Sequence, residues 1–352
     1  MPTRKKRSER MKISVLGAGS WGTAMARMLA QKHENVVLWG RNPKLIEELE
    51  AYHENREYLP GVVLPARLQF TEQIHNAVAN ATVIVLATPS QAVRQTTATI
   101  KNYLNDQSII VSAAKGLETN SLKRMSEIIA EEIPWIADRI AVISGPNHAE
   151  EVGLEYPATT VVAAKSRSIA ESVQDLFILP YFRVYTNPDV AGVELGGALK
   201  NIVALGAGVA EGLGFGDNSK AALITRGLAE VSRLGVAMGA NPATFAGLAG
   251  IGDLVVTCTS KHSRNRRAGL LIAAGKTMSE IEQETRMVVE GIRSTLAAYH
   301  LAKRYSIEMP ITQQIYSVLY EHKSPKDAVL ELMTRSRTHE VEEVVLNSIW
   351  TD

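Results

Sequence analysis

Cysteine occurs once in 352 residues, at Cys258, so the chain cannot close a disulfide within itself, and a reducing compartment, the cytoplasm, is expected. A surplus of charge is missing too, with 38 lysines and arginines against 37 aspartates and glutamates. Nucleic-acid and membrane-surface partners are recognised by basic surplus, which this balance does not offer. Arginines do cluster in residues 261–267, but no aromatic side chain is interleaved with them to stack on bases. No apolar run approaches the ~18 residues of a membrane span, and no signal-type apolar segment follows the start, so no membrane insertion is expected. Residues 1–10 are basic and aperiodic and are set aside as a disordered extension.

What is present begins with a short apolar strand that runs directly into Gly17, Gly19 and Gly22, followed without a gap by a helical pattern over 23–31. Strand, tight turn and helix in that order suit a dinucleotide. The first glycine permits the turn, the second lets a pyrophosphate approach the backbone, and the third lets helix and strand pack closely. At the end of the second expected strand, Asn35–Trp39, an acidic residue would bind the ribose of NAD; Arg41 stands nearby instead. A guanidinium there can hold the additional phosphate of NADP, so the cofactor is NADP or NAD.

Further expected strands fall at 67–70, 82–87, 108–113, 139–143, 159–164 and 182–185, with helical stretches between them. Such alternation implies a doubly wound, mostly parallel α/β sheet covered on both faces. Ligands of such sheets lie beyond the carboxyl ends of the strands, which brings the glycine loop, Arg41, Pro89, Lys115 and Gly145 to one cleft. After Asn187-Pro188 the alternation stops. The expected organisation is a dinucleotide-binding domain over 11–190 and a helical substrate-binding domain over 191–352.

The first helix of that second domain is apolar and rich in small residues, yet Lys200 and Asn201 interrupt it. An ammonium buried without a partner is costly, so Lys200 is a candidate catalytic group unless its head reaches solvent. Glycines precede Asp253, the natural partner carboxylate for Lys200. Ser263 reads as an N-cap, offering an anion site from helix amides with Arg264 and Asn265. No metal site is expected.

Several of these pieces occur together in one family. From Met11 to about Val344 the chain resembles the bacterial-type NAD(P)-dependent glycerol-3-phosphate dehydrogenases. The motifs are Gly17-Ala18-Gly19-Ser20-Trp21-Gly22, Ala114-Lys115-Gly116, Ser144-Gly145-Pro146, Gly196-Gly197-Ala198-Leu199-Lys200-Asn201, Gly250-Ile251-Gly252-Asp253, Thr257-Cys258-Thr259-Ser260, Ser263-Arg264-Asn265 and Val289-Glu290-Gly291. The resemblance implies a Rossmann-type domain followed by an all-α domain, a homodimer, and interconversion of dihydroxyacetone phosphate and glycerol 3-phosphate for phospholipid synthesis.

The resemblance also implies roles. Ser20, Trp21, Arg41, Lys115, Ala149, Arg264, Val288 and Glu290 would contact the dinucleotide, beside Gly17, Gly19 and Gly22. Lys115, Gly145, Asn201, Asp253, Thr257, Ser263, Arg264 and Asn265 would hold the phosphorylated substrate, and Lys200 would give and take the proton. Asn147 stands where the family usually has a hydroxyl residue; an amide can still donate and accept, so it is kept as a substrate contact. His148 reads as structural, since no carboxylate is placed by sequence to orient it as a base. Two alternatives remain at this level, a β-hydroxy acid dehydrogenase of the same architecture and a non-catalytic NAD(P)-binding sensor.

Overall fold

A computed structural model describes residues 11–285 and 288–336; the expected extension at 1–10 lies outside the described residues. The strands are β1 (Lys12–Leu16), β2 (Asn35–Trp39), β3 (Glu54–Asn55), β4 (Leu59–Val63), β5 (Gln69–Thr71), β6 (Val83–Leu86), β7 (Ile109–Ser112), β8 (Ile140–Ser144), β9 (Ala158–Ala164) and β10 (Phe182–Asn187). Eight of them form one sheet in the order β10-β9-β8-β7-β6-β1-β2-β5. Strand β1 pairs in parallel with both β2 and β6, so the direction of winding reverses between β1 and β6. That is the switch point at which open α/β sheets bind ligands.

Helices cover both faces, which is why the central strands read as continuous apolar runs. Ile13, Val15, Val83 and Val85 enter one core, while Leu16, Ile84, Leu86 and Ile110 enter the other. Each fully buried side chain of this kind contributes about 1.5–3 kcal/mol. One pair departs from parallel: β9 runs antiparallel to β8. The link between them holds only the five-residue helix Ala149–Gly153, too short to carry the chain back over a face of the sheet.

The hairpin of β3 and β4 is not among the expected strands. It has a purpose for the site. Asn55, fully buried, donates from Nδ2 to Ala18 O at 3.0 Å and to Thr23 Oγ1 at 2.8 Å, fastening the hairpin to the glycine loop.

Beyond β10 the described chain is helical. Asp189 caps the helix Val190–Gly212 by accepting from Gly192 N at 2.9 Å. By length and hydropathy this helix could cross a membrane, contrary to the sequence reading, as could the segment Pro242–Thr259. Instead Leu195, Leu199 and Ile202 pack against Leu234, Phe245 and Leu301 in the core of an α-helical domain. The apolar composition reflects burial among the helices Asp217–Ala237, Arg264–Ala273 and Glu290–Tyr305.

Candidate active site

At the switch point, Gly17 has φ of +122° and its missing Cβ would lie 2.7 Å from Ala87 O; a Cβ on Gly22 would lie 1.8 Å from Gly17 O. Only glycine permits this loop. The helix Ser20–Lys32 then starts from Gly19 with no side-chain cap, and the space where a Cβ of Gly19 would stand is open. A helix start with no side-chain cap and open space beside Gly19 suits a pyrophosphate. Trp21 and Ala149 pack on one another's surroundings, with Ala24, Leu59 and Val62. Ser20 is buried, whereas Arg41 and Val288 are exposed.

Where the sheet meets the helical domain, two ammonium groups share one carboxylate. Lys200 Nζ donates to Asp253 Oδ1 and, at 2.7 Å, to Thr257 Oγ1. Lys115 Nζ donates to Asp253 Oδ2 at 2.7 Å and to Gly145 O at 2.8 Å. Asp253 opens the helix Asp253–Thr259, where the helix dipole favours an acid, and Thr257 lies one turn later on the same face. The Thr257 hydroxyl donates back to Asp253 O at 2.6 Å. Lys200 is 6% and Asp253 1% exposed, so Lys200 does not reach solvent as a surface lysine would.

Burial pulls the Lys200 ammonium down to about 8, with Asp253 opposing and Lys115 assisting. For Asp253, burial favours protonation, but the Lys115 and Lys200 cations overcome it and hold the carboxyl below its usual range. Two cations around one anion leave the cluster with net positive charge.

Next to the cluster, Asn201 Nδ2 donates to Lys115 O at 3.1 Å, and Asn265 Nδ2 donates to Asn201 Oδ1 at 2.8 Å. Asn265 Oδ1 in turn accepts from Gly291 N at 2.8 Å. These two amides are therefore largely engaged with one another and with the backbone. Ser263 Oγ accepts from Arg266 N at 3.2 Å, the expected N-cap of the helix Arg264–Ala273. Arg264 is exposed at that helix start, near enough for its charge to act on Glu290.

Glu290 accepts from Ser90, which follows the carboxyl end of β6, a partner invisible to sequence reasoning. Asn147 Nδ2 donates to Thr159 O at 2.6 Å. His148 was set aside as structural, yet the charges of Lys200, Asp253 and Lys115 all act on it.

A glycine loop at a Rossmann switch point, together with a buried lysine–carboxylate cluster where the sheet meets a helical domain, defines a dinucleotide-dependent oxidoreductase. Residues 12–170 match the family described as NAD-dependent glycerol-3-phosphate dehydrogenase N-terminus, and residues 189–330 match its C-terminus. The glycerol-3-phosphate dehydrogenase [NAD(P)+] of Pelotomaculum thermopropionicum is 55% identical over 336 residues, covering 95% of this chain and 96% of its own. That of Moorella thermoacetica is 55% identical over 330 residues, covering 94% and 98%. A crystal structure of glycerol-3-phosphate dehydrogenase from Coxiella burnetii superposes with a TM-score of 0.89 at 37% identity, over 93% of this chain and 99% of that one. The chain belongs to the NAD-dependent glycerol-3-phosphate dehydrogenase family.

Proposed function

We propose that the protein interconverts dihydroxyacetone phosphate and sn-glycerol 3-phosphate, with NADP or NAD as hydride carrier, and that the product serves phospholipid synthesis. The observation that carries this reading is the buried Lys200 ammonium, bonded to Asp253 and Thr257 beside Lys115 at the carboxyl ends of the strands. Family membership sets aside the β-hydroxy acid dehydrogenase and the non-catalytic sensor.

When bound, the nicotinamide supplies or takes the hydride at the substrate's central carbon. Gly17, Gly19, Gly22, Ser20, Trp21, Arg41, Ala149, Val288 and Glu290 are the residues assigned to hold the dinucleotide. Lys200 has three N–H bonds, of which Asp253 and Thr257 take two. We assign the third to the substrate's carbonyl oxygen. As that oxygen becomes an alkoxide, the ammonium stabilises the charge and then transfers its proton. Lys115 adds a second cation to the same region, and Asp253 keeps both amines aimed. Thr257 fixes the Lys200 head, while Asn201 and Asn265 brace the backbone of Lys115 and the start of the helix at Glu290.

Arg264, with Ser263, Asn265 and the helix amides, is assigned the phosphate. Anchoring that end orients a small ketone against the amine cluster. Gly145 and Asn147 complete the pocket. A homodimer working in the cytoplasm is part of the same reading, the reducing compartment being suited to the free, buried thiol of Cys258. The division into a dinucleotide-binding domain up to residue 190 and a substrate-binding domain after it belongs to the same reading.

The test is steady-state oxidation of NADH and NADPH, side by side, with dihydroxyacetone phosphate as acceptor. Turnover with either dinucleotide is expected, and no turnover with both would overturn the reading.

A further inference from the structure

Two buried polar atoms on one loop have no hydrogen-bond partner among the described residues, Asn147 Oδ1 and His148 Nε2. Buried polar atoms are normally paired, and leaving one unpaired costs about 1–3 kcal/mol. The loop starts at Gly145, whose carbonyl receives the Lys115 ammonium at 2.8 Å. Asn147 is held by its bond to Thr159 O, so its Oδ1 has a fixed direction. His148 feels the charges of Lys200, Asp253 and Lys115, and its ring lies 5.9 Å from that of His262, just ahead of the Ser263 cap. The imidazole thus connects the amine cluster with the loop that opens the phosphate helix.

Dihydroxyacetone phosphate has three polar parts. The phosphate is assigned to Arg264 and its neighbours, and the carbonyl to Lys200 and Lys115. Its terminal hydroxyl, which can donate one hydrogen bond and accept others, has no partner in that assignment.

We propose that His148 Nε2, together with Asn147 Oδ1, binds this terminal hydroxyl and makes His148 a specificity-determining residue. The proposal rests on the reading of dihydroxyacetone phosphate as substrate. The pairing is complementary: Nε2–H donates to the hydroxyl oxygen, and the hydroxyl donates to Asn147 Oδ1, which can only accept. Burial, reinforced by the Lys200 charge, pushes the imidazole down to about 4. The ring is therefore neutral at working pH, carries one N–H, and is too weak a base to compete with Lys200 for the proton. A site built to bond a hydroxyl discriminates strongly against an analogue that lacks it, because its own polar atoms are left unpaired.

The test uses the full chain with two ketones, dihydroxyacetone phosphate and hydroxyacetone phosphate, the latter missing only the terminal hydroxyl. The wild type is expected to favour dihydroxyacetone phosphate in kcat/KM. His148→Phe should lower kcat/KM for dihydroxyacetone phosphate by about tenfold to a hundredfold and leave hydroxyacetone phosphate within about twofold. His148→Gln, which keeps a donor, should retain part of the preference, and it decides the matter if the Phe variant fails to fold. An equal loss with both ketones, or a loss confined to the KM of the dinucleotide, would overturn the proposal while leaving the function standing. A wild type that reduces neither ketone would overturn the functional reading and this proposal together.

Discussion

Ser90 and Glu290 join the carboxyl end of β6 to the helical domain across 200 residues of sequence. The Ser90 amide donates to one carboxylate oxygen at 2.9 Å and its hydroxyl to the other at 2.6 Å. Burial pushes the Glu290 carboxyl up, and the two Ser90 bonds oppose it. Glu290 is one of the residues assigned to hold the dinucleotide.

Glu290→Ala strips Ser90 of both acceptors. The expected loss is about 1–3 kcal/mol in urea unfolding, accompanied by a larger rise in KM for the dinucleotide than for the ketone. An unchanged unfolding midpoint and unchanged cofactor KM would contradict the role given to this pair.

Asp253→Asn removes the anion shared by Lys115 and Lys200. A drop in kcat/KM of about 10²–10³ is expected, comparable with the loss of a preorganised electrostatic group. The carboxylate also raises the Lys200 pKa, so its removal should move the alkaline limb of glycerol 3-phosphate oxidation to lower pH. A limb that moves upward would show that the charge acts otherwise.

Arg264→Ala should act on substrate binding. Loss of a charge-assisted contact to phosphate is expected to raise the KM for dihydroxyacetone phosphate by about tenfold to a hundredfold with a smaller effect on kcat. Unphosphorylated dihydroxyacetone should be reduced at the same slow rate by variant and wild type. A kcat collapse with unchanged KM would place Arg264 at the reacting carbon instead.

Glu230 offers a test of stability away from the site. It is 2% exposed and accepts from Ile311 N at 2.6 Å and Thr312 N at 3.1 Å, capping the helix Pro310–Tyr320. Burial raises its pKa to about 7 against these bonds. Between its ordinary carboxyl range and about 7 the folded state binds more protons than the unfolded, so this contribution is present at acid pH and lost as pH rises through 7. Glu230→Gln should flatten that slope, its melting temperature gaining on the wild type between pH 5 and 8 (roughly, from the carboxyl reference range). A pH-independent difference would refute the assignment.

The sequence made the main sheet legible because its strands are buried on both faces and read as apolar runs closed by glycine, proline or serine. Lys200 was legible for the opposite reason, as a charge where the helix is otherwise apolar, and glycines around Asp253 pointed to its partner. The hairpin of β3 and β4 was hidden, since its determinant is the polar Asn55 bonded to the glycine loop. The Ser90–Glu290 contact was hidden as well, because a hydrogen bond between distant residues leaves no periodicity in the chain. The helix Val190–Gly212 was legible from its small apolar residues as a buried helix, and only its span-like length and hydropathy went unforeseen.

The proton assignment to Lys200 is tested most directly by following the chemical step against pH in both directions with the wild-type enzyme. Oxidation of glycerol 3-phosphate needs the neutral amine, so its rate should climb through a pKa of about 8. Reduction of dihydroxyacetone phosphate needs the ammonium, so its rate should hold below that pH and fall above it. Profiles that superimpose in the two directions would contradict Lys200 as the group that gives and takes the proton.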